Sequence, residues 1–183
     1  MLFTFLHLAA RRKEVFNLKW SDVDFSENRV RLWTKKRLGS NLEADWVPMT
    51  SELRKTLLRW WDEQPVKESE YVFVSTSDLP CNKHRFGKPY LVRGDMMKRL
   101  CEKAEVKEFG FHAIRHLTAS ILYHNGCSVS LIQSVLRHKN PTTTNRYLQN
   151  LGIEAVRKGL EENLKGPAKV IDLSERKKAS GEN

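Results

Sequence analysis

Residues 28–33, NRVRLW, alternate Arg29, Val30, Arg31 and Leu32 with the two-residue period of a strand that buries one face. Its nearest plausible partner is ADWVPM, residues 44–49, in which Pro48 is confined to a strand end or edge. The ten residues between, TKKRLGSNLE, form a basic loop with Gly39-Ser40 at its turn, so an antiparallel hairpin is expected. YVFV, residues 71–74, supplies a third short strand. The rest of the chain reads as helix and loop. The expected fold class is therefore α+β, mainly α-helical, with a small antiparallel three-stranded sheet.

The helical readings follow apolar spacing and punctuation. Residues 2–18 read as one helix, from Leu2, Phe5, Leu6 and Ala9 through Val15, Phe16 and Leu18. A chain that opens on a buried helix looks cut, and a preceding segment is expected. Ser51 caps a helix carrying Leu53, Leu57, Leu58 and Trp61. Pro80, Gly87, Pro89 and Gly94 mark residues 78–94 as a long loop. Asp95 caps a helix to about Ala104. A helix from His112 to His124 buries Ile114, Leu117, Ile121 and Leu122 and ends at Gly126. Ser128 starts another, with Leu131, Ile132, Val135 and Leu136 inside, stopped by Pro141. A helix around Tyr147 and an apolar stripe of Ile153, Val156, Leu160 and Leu164 complete a domain over residues 1–165. Residues 166–183 are polar and read as a disordered tail.

Charge narrows the partner. The 183 residues hold 32 Lys+Arg against 22 Asp+Glu, a net +10, which favours a polyanion, nucleic acid first. Cys81, Cys101 and Cys127 are odd in number and never spaced C-x-x-C, against a disulfide framework or zinc ribbon and in favour of a reducing cytosol. The apolar run at the start is too short to span a membrane, and its charges follow rather than precede it, unlike a secretory signal.

Four basic clusters stand apart. ARRKEV sets Arg11 and Glu14 three residues apart on one helical face, which by itself reads as a surface ion pair. WTKKRLG carries Lys35, Lys36 and Arg37, which by themselves read as edge-strand protection. HAIRH sets His112 and Arg115 on one face, and LRHKNPTTTNRY supplies Arg137, His138, Lys139 and Tyr147. Other readings compete. His112 and His116 have the spacing of zinc ligands, but Ala113 stands where a metalloprotease has Glu, and Arg115 repels a cation. Asp22 and Asp24 suggest a magnesium pair, but exposed turn carboxylates are commoner. Cys127 reads as a small core residue. Residues 126–148 also fit a helix-turn-helix DNA-binding regulator, which leaves Arg11, Lys35 and HAIRH unexplained.

Together and in this order, from about Leu6 to Leu151, the clusters resemble the tyrosine recombinase (phage integrase) family. LAARRKEVFNLKWSDVDF, with its Leu18-x-Trp20-x-Asp22 run, is similar to the segment of that family's first catalytic arginine. HAIRH resembles its His-x-x-Arg-His box, and LRHKNPTTTNRY its Leu-Gly-His box followed by the nucleophilic Tyr. The resemblance implies the family's catalytic fold and site-specific DNA breakage and rejoining through a 3′-phosphotyrosine. The catalytic set it implies is Arg11, Lys35, His112, Arg115, His138 and Tyr147, with no metal and no cofactor. Lys36, Arg37, Arg137 and Lys139 are expected to contact DNA. The expected partners are double-stranded DNA and further copies of the chain, a tetramer at synapsis with the stripe after Tyr147 docking on a neighbour. The expected setting is the cytoplasm and nucleoid of a bacterial or phage-infected cell, with no membrane. Type IB topoisomerases share this chemistry and are a third reading.

Three departures stand out. The family's usual Thr-Gly before the first arginine is Ala9-Ala10, both helix formers, so the chain break there is expected to be lost. Its usual Gly before the second His is Arg137. Its amino-terminal DNA-clamping domain is not among these residues.

Overall fold

The computed structural model describes residues 1–35, 42–77, 79–91 and 94–138. Helix α1, Leu2–Leu8, and helix α2, Arg12–Phe16, are separate, so the expected single helix over 2–18 is corrected. The break survives without glycine. Ala9 takes the left-handed conformation (φ 44°), and the amides of Ala9 and Ala10 turn back onto the carbonyls of Leu6 and Phe5. That costs an L-residue about 1–2 kcal/mol. Ala9 and Ala10 are fully buried, so packing holds what propensity would not.

The sheet has three antiparallel strands in the order β1 (Val23–Asp24), β2 (Arg29–Lys35), β3 (Leu42–Pro48). The hairpin is as expected, with Val30 opposite Val47 and Lys35 opposite Leu42. The third strand is not residues 71–74. It is the two-residue β1, joined to β2 by a turn in which Asp24 Oδ1 accepts from the Ser26 and Glu27 amides at 3.1 and 3.0 Å. Residues 71–74 instead make isolated bridges, Lys19 with Tyr71 and Val74 with Pro89. Val30 and Leu32 point inward, while Arg29 and Arg31 lie over Trp46 on the outer face. Asp22 is buried rather than an exposed turn carboxylate. It accepts from Arg31 Nε at 2.8 Å and Trp33 Nε1 at 3.0 Å, tying the turn at Trp20–Asp22 to β2.

Helix α3, Ser51–Glu63, is capped by Thr50 rather than Ser51: the Thr50 hydroxyl accepts from the Leu53 amide at 3.2 Å. Helix α4 is Gly94–Lys103, with Asp95 inside its first turn. Helix α5, Phe111–His124, and helix α6, Val129–Leu136, match expectation in extent, with Ser128 capping α6, but Leu117 and Ile121 of α5 and Leu131 of α6 are exposed rather than buried. The core joins Leu8, Val15, Leu32, Leu53 and Val72 around an aromatic trio. In that trio the Phe5 and Phe16 rings meet Phe111 at 4.8 and 5.4 Å between centroids. Phe111 opens α5, so the trio fixes the helix start immediately before His112. Thr118 adds a bond from its hydroxyl to the Leu6 carbonyl at 2.7 Å, holding α5 on α1. Cys101 is the core cysteine, and Cys127 is only half-buried. Among the described residues, no helix is long and apolar enough to cross a membrane.

Candidate active site

Arg11 is the N-cap of α2, and the turn at Ala9-Ala10 sets its place. Its amide donates to Glu14 Oε2 at 2.7 Å and its Nη1 to Glu14 Oε1 at 2.8 Å, so Glu14 caps the first amide of the turn as in a capping box and pairs with the guanidinium. This is no surface ion pair: the Glu14 side chain is 2% exposed and that of Arg11 is 39%. Glu14 Oε1 also accepts from Thr34 Oγ1 at 2.6 Å, and Oε2 from Arg137 Nη2 at 2.6 Å. Burial alone would raise the Glu14 pKa. Arg137, Thr34 and Arg11 outweigh it and hold the carboxyl below its ordinary value.

Arg115 projects from α5 and is almost fully buried, with Nη1 donating to the Ala9 carbonyl and Nη2 to that of Leu136. These carbonyls belong to the two left-handed turns that end α1 and α6. The α6 turn is the same motif as the first: Arg137 is left-handed (φ 50°), and the His138 amide reaches back to the Gln133 carbonyl at 3.2 Å. One guanidinium therefore fastens both chain reversals. Two of its five N–H donors are taken this way among the described residues. Burial, then Arg11 and Arg137, lower the Arg115 pKa to about 9, so it stays cationic at neutral pH.

The histidines share this field. His138, delivered by the α6 turn, is held down to about 4 by burial first, then by Arg115 and Arg11. His112 is lowered by burial, Arg115 and Arg11. Its ring meets that of His116 edge-on at 4.4 Å, and His116 is lowered too, by burial, His112 and Arg115. All three imidazoles are neutral near pH 7. Each can accept a proton, and incoming negative charge would raise their basicity. An open cleft of about 770 Å³ lies over Arg11, Glu14, Thr34, Trp33, Leu42 and His112.

Arg11, His112, Arg115 and His138 are thus brought together from three segments, the start of α2, helix α5 and the turn after α6. Arg137 was expected among DNA-facing cations, but its guanidinium is turned inward, 9% exposed, onto Glu14 and, at 3.2 Å, the Leu8 carbonyl. The strand register puts Thr34 on the face of Val30 and Leu32, and the side chain of Lys35, at the end of β2, lies outside what is described. Lys36, Arg37, Lys139 and Tyr147 lie outside the described residues, as do the helix around Tyr147, the stripe from Ile153 to Leu164 and the polar tail. Sequence reading missed Glu14 and Thr34 as site residues. The Arg11-to-Glu14 spacing was the available signal, and nothing in Thr34 announced its partner.

A sequence model of the phage integrase family matches residues 1–152. The tyrosine recombinase XerC of Staphylococcus epidermidis is 28% identical over 140 residues, covering 75% of this chain and 44% of that protein. Among solved structures, XerA recombinase superposes with a TM-score of 0.65 at 26% identity, covering 87% of this chain and 55% of that one. The Tn1549 transposon integrase, solved in complex with a circular intermediate DNA, gives a TM-score of 0.60 at 20% identity, covering 80% and 52%. The chain spans less than half the length of the XerC proteins it matches.

Proposed function

The chain belongs to the phage integrase family, and on that premise we propose that residues 1–165 form a DNA-breaking and rejoining domain that works through a covalent 3′-phosphotyrosine. The observation that carries this reading is the gathering of Arg11, Arg115, His112 and His138 from separate segments into one electrostatic cluster, with Arg11 and His112 lining an open cleft. An attacked phosphodiester gains negative charge, and preorganised cations stabilise it. Arg11, the more exposed guanidinium, meets a non-bridging oxygen. Arg115 supplies an almost fully buried positive charge. The Tyr147 phenolic oxygen bonds to phosphorus as the bond to the 5′ oxygen breaks. The phenolic proton passes to a neutral imidazole, with His112 and His138 as acceptors. The departing oxygen takes a proton from the hairpin lysine, Lys35 in this assignment, with Lys36 the alternative. Reversal restores the phosphodiester, so neither metal nor cofactor is required.

Double-stranded DNA is the substrate, with Lys36, Arg37 and Lys139 as backbone contacts. Further copies of the chain assemble on it, a tetramer at synapsis, with the Ile153 to Leu164 stripe docking on a neighbour. Residues 166–183 serve as a polar tail, and the cytoplasm and nucleoid are the setting.

A nicked suicide duplex tests this, because the short fragment bearing the freed 5′-hydroxyl diffuses away and traps the adduct. The protein should become covalently attached to DNA, and Tyr147→Phe should bind DNA but form no adduct. An adduct that survives Tyr147→Phe would move the nucleophile to another tyrosine, Tyr123 or Tyr90. A 5′-thio leaving group, which needs little acid help, should rescue Lys35→Ala; rescue of Lys36→Ala instead would reverse that assignment. A helix-turn-helix regulator gives no adduct at all. A topoisomerase relaxes supercoils without recombining.

A further inference from the structure

Arg137 occupies a position that looks wrong for it twice over. It ends α6 in the left-handed conformation, which costs an L-residue about 1–2 kcal/mol and which glycine would adopt freely. Its side chain is then turned inward, where burial disfavours a cation, and its Nε is buried with no hydrogen-bond partner among the described residues, 3.9 Å from Asp45 Oδ2. What these costs secure is the contact of Nη2 with Glu14 Oε2 at 2.6 Å.

Glu14 is needed to hold Arg11, through the Arg11 amide and Nη1. The same carboxylate is a buried negative charge beside the place where a phosphate would sit. Left alone with Arg11 it would cancel much of that residue's attraction for an anion. Arg11, Arg115 and Arg137 against Glu14 leave two net positive charges in the cluster, and with glycine at 137 there would be one.

We infer that Arg137, granted the DNA-cleaving role above, is a positioning residue that acts as the counter-ion of Glu14. It lets the carboxylate orient Arg11 while the cluster keeps the charge that a phosphorane-like transition state requires. Arg137 does not touch the substrate. It acts through Glu14 and through the field that Arg115 and Arg11 share in a poorly solvated wall.

The test uses the whole protein and a library of nicked duplexes of randomised sequence, from which the adduct-forming site is recovered. That site is then made in two forms, with an ordinary phosphodiester or with a methylphosphonate, whose methyl group removes the negative charge. Arg137→Gln keeps the polarity and the backbone strain, is shorter, and removes the charge. It should slow adduct formation on the phosphodiester by roughly tenfold to a hundredfold. On the neutral methylphosphonate the loss should shrink to within about threefold. Arg137→Lys should recover most of the lost rate.

Equal losses on both substrates would mean that Arg137 only shapes the site and would overturn the counter-ion role. So would a Lys variant as slow as the Gln variant, or an Arg137→Gln protein as fast as the original. A parent protein that forms no adduct anywhere in the library would instead overturn the cleavage reading, and this role with it. Should Arg137→Gln fail to fold, Arg137→Gly, which relieves the left-handed strain, carries the same comparison.

Discussion

Glu14→Gln is the sharpest probe of how the site is held. The carboxylate accepts four hydrogen bonds, two on each oxygen, from the Arg11 amide and guanidinium, Thr34 and Arg137. A glutamine has the same shape but only one oxygen. The best exchange leaves its oxygen facing the Arg11 amide and Arg137 and turns its NH₂ toward Thr34, whose hydroxyl can reverse and accept. The Arg11 guanidinium then meets a donor. Charge-assisted bonds contribute about 1.5–3 kcal/mol each, and removing one partner of a buried pair costs about 3–5. Isosteric replacement keeps part of the network, so the loss should be about 2–3 kcal/mol. In a chain of this length that is a fall of roughly 4–12 °C in Tm. Urea unfolding at neutral pH measures it, and pH supplies a second check. The folded Glu14 pKa lies below its ordinary value, so its contribution is complete above the ordinary carboxylate pKa and is lost as pH falls through the folded one. The gap between parent and Glu14→Gln should therefore be widest near pH 7 and close in acid. Thr34→Val should cost about 1 kcal/mol in the parent and less in the Glu14→Gln background. A Glu14→Gln protein with an unchanged urea midpoint, or a gap that ignores pH, would refute the network as drawn.

Two further changes are informative. Ala9→Gly removes the left-handed penalty at the end of α1 but adds glycine's unfolded-state entropy, so a net gain of about 0.5–1 kcal/mol is expected, read as a rise of roughly 1–4 °C in Tm. The His138 pKa is about 4 when folded and near 6.5 when unfolded, so stability should be complete above pH 6.5 and fall as the unfolded chain takes up the proton. With an allowance for solvent at this half-buried ring, the loss from pH 7 to 5 should be about 1–2 kcal/mol, and His138→Gln should flatten it in paired urea titrations.

Much of the architecture is legible in residue spacing. Arg29 to Leu32 alternate because Val30 and Leu32 face a core and the arginines face Trp46, and that pattern survives any packing partner. Helices α5 and α6 are bounded by Gly126 and Ser128, whose roles are local. What spacing hides is what distant segments impose. No propensity predicts a chain reversal at Ala9-Ala10. Burial and the Arg115 guanidinium hold it there, from 106 residues away. Strand β1 has two residues, too few to show a period, and it exists because Asp24 closes a turn onto β2. YVFV has strand composition, yet its neighbours offer single bridges and no ladder. In the site, Arg11, His112, Arg115 and His138 were legible by resemblance. The placement of Arg137 was not, because a cation one residue from a histidine in a basic stretch reads as surface until Glu14 is found beneath it.

The Arg115 bridge has a meaning for synthesis as well as for chemistry. Its carbonyl partners lie 106 residues back along the chain and 21 residues ahead. A ribosome therefore releases α1, the hairpin and α5 before the second anchor exists, and closing so long a loop comes late in folding. Until Leu136 emerges, Arg115 is held from one side only, the reversals at Ala9 and Arg137 lack their common fastener, and His138 has not been made. A nascent or partly unfolded chain carries the net positive charge but not the assembled centre that the proposed cleavage requires. On that reading, cutting competence would be confined to chains that have finished folding.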